Sequence, residues 1–99
     1  MKDKYLLEGI KVIDAASFIA GPSAATIMSD FGAEVIKIEP AEGDSLRNLI
    51  TNGRMPEGKE NYCWELTSRN KKSVSLNLKK EEAKSILIDL VKECDVFIT

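Results

Sequence analysis

A short β-branched run at Val12-Ile13 gives way, after Gly21-Pro22, to apolar residues at helical spacing: Ala24, Ile27, Met28 and Phe31. That i, i+3, i+4, i+7 pattern predicts a helix with those four side chains on one face, packed on a sheet. Pro22 suits the first turn, where its missing N–H would be unsatisfied anyway, and Gly32 suits the position just past the helix end. A second strand, Glu34-Val35-Ile36-Lys37-Ile38-Glu39, follows at once. Two strands joined through a helix do not form a hairpin, so the first strand, which includes the run after Asp14, and the second are predicted to lie parallel in a right-handed crossover.

From Pro40 to Asn61 the periodicity stops, and glycine, proline and charged residues dominate. A connection of that length points to a functional surface loop lying over a site, with one helical turn near Ser45 to Leu49. Ser73 to Leu78 alternates small polar and apolar side chains, as a third strand would. Ala83, Ile86, Leu87, Leu90, Val91 and Cys94 then give the clearest helical stripe, predicting a helix from about Lys80 to Glu93. Asp95 to Thr99 reads as a fourth strand, parallel to the third. The prediction is an α/β fold: a Rossmann-like parallel sheet with crossover helices. Because the chain stops on an apolar strand, residues 1–99 are expected to be the N-terminal part of a larger domain.

Charge and composition narrow the function classes. Fourteen basic and 16 acidic residues give a net charge of −2, so no basic footprint for nucleic acid is expected. The longest uncharged stretch, Ala15 to Ser29, is interrupted by Gly21-Pro22 and is too short to span a bilayer. The N-terminal MKDKYLLEG lacks a signal-peptide apolar core. Cys63, placed in a polar loop, and Cys94, at a helix end, show no CxxC or metal spacing, and are read as reduced thiols of a cytoplasmic protein. Histidine is absent, which removes Ser-His, Cys-His and His-metal chemistry from this chain.

Motif tests remove two nucleotide classes. Glu39 sits where a dinucleotide fold places its ribose-binding acid, yet no GxGxxG lies between the first strand and the helix, and Pro22 deletes a backbone donor. No GxxxxGK[ST] is present either, so P-loop phosphoryl transfer is excluded.

Several motifs in one order carry a more specific signal. Leu7-Glu8-Gly9-Ile10-Lys11-Val12-Ile13-Asp14, Ala20-Gly21-Pro22, the run Asp30 to Pro40, Gly43-Asp44 with Arg47, Asn70-Lys71-Lys72-Ser73, Leu76-Asn77-Leu78-Lys79 and Asp95-Val96 succeed one another across nearly the whole chain. In that order and spacing they resemble the N-terminus of the family III CoA-transferases, also called the CaiB/BaiF family.

The resemblance implies a transferase that moves coenzyme A from an acyl-CoA to a carboxylic acid acceptor. An aspartate attacks the thioester to give a mixed anhydride, CoA thiolate returns to form an enzyme-bound thioester, and the acceptor displaces it. That chemistry needs no metal and no permanently bound cofactor; coenzyme A enters as substrate. The family's catalytic aspartate lies beyond the first hundred residues, so no catalytic residue is assigned here. Asp14 and Asp30 are read as a turn acceptor and a helix-terminal partner. CoA-binding positions carried over from the family are Ile19 and Ala20 after the first strand, Pro40 at the end of the second, and Leu76, Asn77, Leu78 and Lys79. Many members have arginine where Pro40 stands, and proline offers no charge to a phosphate. Arg47 and Lys71-Lys72 are further basic groups, each read as solvated surface charge. The resemblance also implies an interlocked homodimer for the intact protein. The IEPxxGD form points to acceptors such as 2-hydroxy acids or other small acids. Two alternatives stay open: a 2-methylacyl-CoA racemase of the same family, and a non-catalytic α/β module that binds a nucleotide or partner.

Overall fold

The computed structural model describes residues 4–99, so Met1, Lys2 and Asp3 of the N-terminal stretch lie outside the described residues. The elements run β1 (Lys11–Asp14), α1 (Ala20–Asp30), β2 (Glu34–Glu39), α2 (Tyr62–Thr67), β3 (Lys71–Ser75), α3 (Glu81–Lys92) and β4 (Val96–Ile98). The strands form one parallel sheet in the order β3-β2-β1-β4. Val12 sits opposite Val35 in one direction and Val96 in the other, while Ile38 sits opposite Val74. The expected α/β fold with a parallel crossover is therefore present.

Strand alternation divides the core between the two faces of the sheet. Val12 and Val35 pack with Ala25 and Ala33, with Met28, Val96 and Ile98 around them, under α1. Ile13 and Ile38 pack with Leu76 and Ala83, with Ile36, Val74, Leu87 and Leu90 around them, under α3. β1 and β2 are central and almost wholly buried, whereas β3 and β4 form the edges.

Several sequence expectations are corrected. α1 does not bury Ala24, Ile27 and Phe31: its buried residues are Pro22, Ala25, Thr26 and Ser29, and Ile27 and Phe31 are half exposed. The cause is the chain between α2 and β3, which crosses this helix and brings carbonyls that need donors. Thr26 Oγ1 shares its one proton between the carbonyls of Thr67 and Pro22, and Ser29 Oγ, which donates to the Thr26 carbonyl at 2.6 Å, lies 3.5 Å from the carbonyl of Arg69. Small hydroxyl side chains let the crossing chain approach and supply the Thr67 carbonyl with a donor, where large apolar ones would keep it away and leave that acceptor orphaned. α2 was unforeseen; its six residues carry Cys63, which therefore lies in a helix and not a loop. The one helical turn expected near Ser45 to Leu49 is present as successive turns, with the Asn48 N–H donating to the Asp44 carbonyl and the Leu49 N–H to that of Leu46.

β1 ends at Asp14, and β3 is shifted toward the N-terminus, so Leu76 to Leu78 lie past its end. β4 runs parallel to β3, as expected, and takes its place in the sheet beside β1. Its entry is fixed by Asp95, whose carboxylate accepts the Lys11 N–H at 2.9 Å while its own N–H donates to the Lys11 carbonyl. The α3 stripe is largely as expected, with Ala83, Leu87, Leu90 and Cys94 packed inward, but Ile86 is half exposed.

Candidate functional site

The carboxyl ends of β1, β2 and β3 open into a cleft of about 510 Å³. Crevices at this end of a parallel sheet are where α/β folds bind ligands, because the strand ends and the loops leaving them supply backbone groups and side chains without disturbing the sheet. The volume lies within the range of small-molecule sites, about 300–1,000 Å³. Its wall is built by three loops. Ala15 and Ser17 follow β1, Pro40 to Glu42 follow β2, and Leu76 to Lys79 follow β3.

Five of the seven positions carried over from the family resemblance thus come together: Pro40, Leu76, Asn77, Leu78 and Lys79 all line the cleft. Leu76 is buried against Ile13 and Ile38, whereas Leu78 presents apolar surface with 38% of its area exposed. Asn77 shapes this loop: its Oδ1 accepts the Lys79 N–H at 3.2 Å and its carbonyl accepts the Lys80 N–H at 3.0 Å, which launches α3. Lys79 makes no ion pair among the described residues, so its ammonium is available to an anion. Ile19 and Ala20 stand apart: they are exposed at the start of α1 and do not line the cleft.

Glu39 lines the cleft, yet its carboxylate is fully engaged. Oε1 accepts from the Asp44 N–H and Arg47 Nε, and Oε2 from Arg47 Nη2 and Ser73 Oγ, all at 2.8–3.1 Å. Burial alone would push this acid up; the Arg47, Ser73 and Asp44 donors outweigh burial and hold it below its ordinary value. A carboxylate with four donors has no lone pair left for a ribose hydroxyl, which agrees with the absence of a dinucleotide motif. Arg47 in turn stacks over Trp64, 3.9 Å from the ring centroid, and its carbonyl accepts from Asn61 Nδ2. These contacts hold the long loop against the sheet.

On the α1 side of the sheet lies a buried group of four charges. Lys37, fully buried in β2, places Nζ 3.6 Å from Asp14 Oδ1 and 3.4 Å from Asp44 Oδ2, and donates to the Ala16 carbonyl at 2.5 Å. Lys71 Nζ donates to Asp14 Oδ2 at 2.8 Å and to the Pro22 carbonyl at 2.7 Å. Two ammonium and two carboxylate groups cancel, as burial requires. Burial lowers the Lys71 ammonium below its ordinary value, against the opposing pull of Asp14. Lys71 is therefore not a solvated surface charge; the ion pair of Lys72 with Glu34 is exposed, as read. Asp14 has no exposure at all and also accepts the Ala16 N–H, so it is a turn acceptor inside an ion network. Asp30, at the end of α1, is held below its ordinary value by hydrogen bonds from Arg69, with Asn70 adding to them.

Sequence reasoning missed the cleft residues Ala15, Ser17, Ala41 and Glu42 and the roles of Lys37 and Asp44. The one available signal was a charged residue inside the otherwise apolar core of β2, where an unpaired lysine would be costly.

The comparisons agree with the geometry. Residues 7–99 match CoA-transferase family III. The chain is 48% identical over 95 residues to (R)-2-hydroxy-4-methylpentanoate CoA-transferase of Clostridioides difficile, covering 95% of this chain and 24% of that protein. It is 44% identical over 95 residues to cinnamoyl-CoA:phenyllactate CoA-transferase of Clostridium sporogenes, covering 95% and 23%. A crystal structure of a CaiB/BaiF family protein from Brucella suis superposes with a TM-score of 0.83 at 31% identity, covering 96% of this chain and 25% of that one. The chain thus spans about a quarter of the length of the relatives it matches. By sequence and by fold, the chain belongs to CoA-transferase family III.

Proposed function

We propose that these residues form the N-terminal, CoA-binding part of an enzyme that transfers coenzyme A from an acyl-CoA to a small carboxylic acid. The observation that carries this reading is the cleft at the strand ends, with the apolar Leu76 and Leu78 beside the ammonium of Lys79, which makes no ion pair among the described residues. CoA needs both kinds of surface: apolar walls for its adenine and pantetheine, and cations for its phosphates. With Pro40 contributing no charge, Lys79 is the cation that the cleft itself offers.

In this reading an aspartate outside residues 1–99 is the nucleophile. It attacks the thioester carbonyl and expels CoA thiolate; the thiolate then attacks the mixed anhydride, releasing the donor acid and leaving an aspartyl-CoA thioester. The acceptor carboxylate attacks that thioester, and the returning thiolate completes the new acyl-CoA. Asp14 and Asp44 do not compete for the nucleophile's role, since both are buried and held by lysine and backbone donors. Names of relatives that act on 2-hydroxy-4-methylpentanoate and phenyllactate support a 2-hydroxy acid as acceptor and support transfer over racemisation. A cytoplasmic, interlocked homodimer completes the proposal.

The test is to incubate the intact protein with an acyl-CoA and a 2-hydroxy acid, follow acceptor thioester by chromatography, and trap the intermediate with hydroxylamine. Formation of the acceptor thioester together with one aspartate converted to its hydroxamate supports the reading. Neither product forming would sink it.

A further inference from the structure

The β1–α1 loop, which builds one wall of the cleft, is held in an unfavourable conformation by groups from distant parts of the chain. Phe18 has φ of 67°, in the left-handed region that a bulky side chain rarely adopts. Its N–H points at the Asp44 carboxylate, 3.1 Å from Oδ1 and 3.3 Å from Oδ2. Asp44 is 3% exposed, also accepts the Leu46 N–H at 2.9 Å, and lies 3.4 Å from Lys37 Nζ. Lys37 in turn donates to the Ala16 carbonyl, and Asp14 accepts the Ala16 N–H. Ala16 is thus gripped at both backbone groups, and its neighbours Ala15 and Ser17 are the two residues of this loop that line the cleft. Strain that persists under such over-determination is characteristic of preorganised sites.

We infer that Asp44 is a positioning residue: with Lys37 as intermediary it fixes the Ala15–Ser17 wall before ligand arrives, so that CoA binding does not have to order this loop. The inference rests on the reading of the cleft as the CoA site. A loop that must be ordered on binding lowers affinity by the cost of ordering it. Asp44→Asn keeps the shape and one acceptor oxygen but removes the charge that faces Lys37 and the Phe18 N–H.

The test compares the intact protein with Asp44→Asn and with Met28→Ala, a truncation in α1 where it packs on the Val12–Val35 core, outside the residues that line the cleft. Coenzyme A is titrated calorimetrically, and the Phe18 amide is followed by ¹H–¹⁵N correlation spectroscopy. Asp44→Asn is expected to weaken CoA binding about tenfold or more, the scale of one charge-assisted hydrogen bond, and to move the Phe18 amide proton upfield. Met28→Ala is expected to lower the melting temperature while leaving both readings unchanged. Equal weakening in the two variants would make Asp44 a general stabiliser and overturn the inference, as would unchanged binding in Asp44→Asn. Absence of CoA binding in the unaltered protein would instead overturn the assignment of the cleft, and an unmoved Phe18 amide would overturn the clamp on its own. Asp44→Asn with Phe18→Gly is the rescue: glycine accepts the left-handed conformation without strain and should recover part of the lost affinity.

Discussion

Replacing Lys37 by methionine keeps most of the side chain's volume and removes its charge. Lys37 is fully buried, with its ammonium between Asp14 and Asp44 and against the Ala16 carbonyl. After the change Asp14 still has Lys71 at 2.8 Å, but Asp44 loses the one cation within ion-pair distance among the described residues and keeps the Phe18 and Leu46 N–H groups. The buried group then goes from neutral to a net −1. Removing one partner of a buried pair costs about 3–5 kcal/mol, since the remaining charge stays desolvated. At about 4–8 °C per kcal/mol for a stretch of about this length, the melting temperature should fall by roughly 12 °C or more. Urea unfolding followed by far-UV circular dichroism gives the free energy directly. Adding Asp44→Asn removes the stranded charge, so the double variant should be more stable than the sum of the two single losses by about 1–3 kcal/mol. A loss below about 1 kcal/mol for Lys37→Met, or strict additivity in the pair, would refute the claim that these charges act as one network.

Other consequences follow from single sites. The Glu39 carboxyl is held below its ordinary value of 4.5, so its ionisation contributes stability that is fully present above that value and is lost as pH falls through the depressed folded-state pKa. Urea midpoints measured from neutral to acid pH should therefore fall less steeply in Glu39→Gln than in the unaltered protein across that acid window; parallel curves would contradict the assignment. Asp30, also depressed, adds to the same acid loss from the C-terminal end of α1. Gly21→Ala would place a Cβ 2.3 Å from the Ala16 Cβ and 3.2 Å from Ile98 Cγ2, so either the β1–α1 loop or the start of α1 must move. A stability loss of about 1–3 kcal/mol in chemical denaturation is expected, and a neutral result would mean that the loop is not fixed.

Why some elements were legible and others not comes down to where their partners lie. β2 was readable to the residue because Glu34 to Glu39 is a continuous run between Gly32-Ala33 and Pro40, so local chemistry sets both ends. α3 was readable because one strong stripe faces one sheet face. α1 was not: its buried face is chosen by carbonyls of Thr67 and Arg69, about forty positions away, which favoured Thr26 and Ser29 over Ile27 and Phe31. α2 is only six residues long and none of its residues is buried, so periodicity had too short a run to detect. β4 is placed beside β1 by pairing, which sequence order alone does not determine.

The site divides in the same way. Pro40 and Leu76 to Lys79 were named from motifs, and the sheet gathers them because each segment leaves the carboxyl end of a strand. Lys37, Asp44 and Asp14 needed three dimensions, because a buried lysine is acceptable only once carboxylates from β1 and from the long loop converge on it. Lys71, one of two adjacent lysines, is buried while Lys72 is exposed, an alternation that the edge strand imposes.

The central claim is that the strand-end cleft binds coenzyme A. Its most direct test is a titration of the ¹⁵N-labelled intact protein with coenzyme A, read as amide shifts residue by residue. The account predicts saturable shifts at Ala15, Ser17, Ala41 and Leu76 to Lys79, lost on Leu78→Asp, with the α1–α2 groove around Ile27 and Leu66 unmoved. Shifts centred on that groove, or saturable binding that survives Leu78→Asp unchanged, would contradict it.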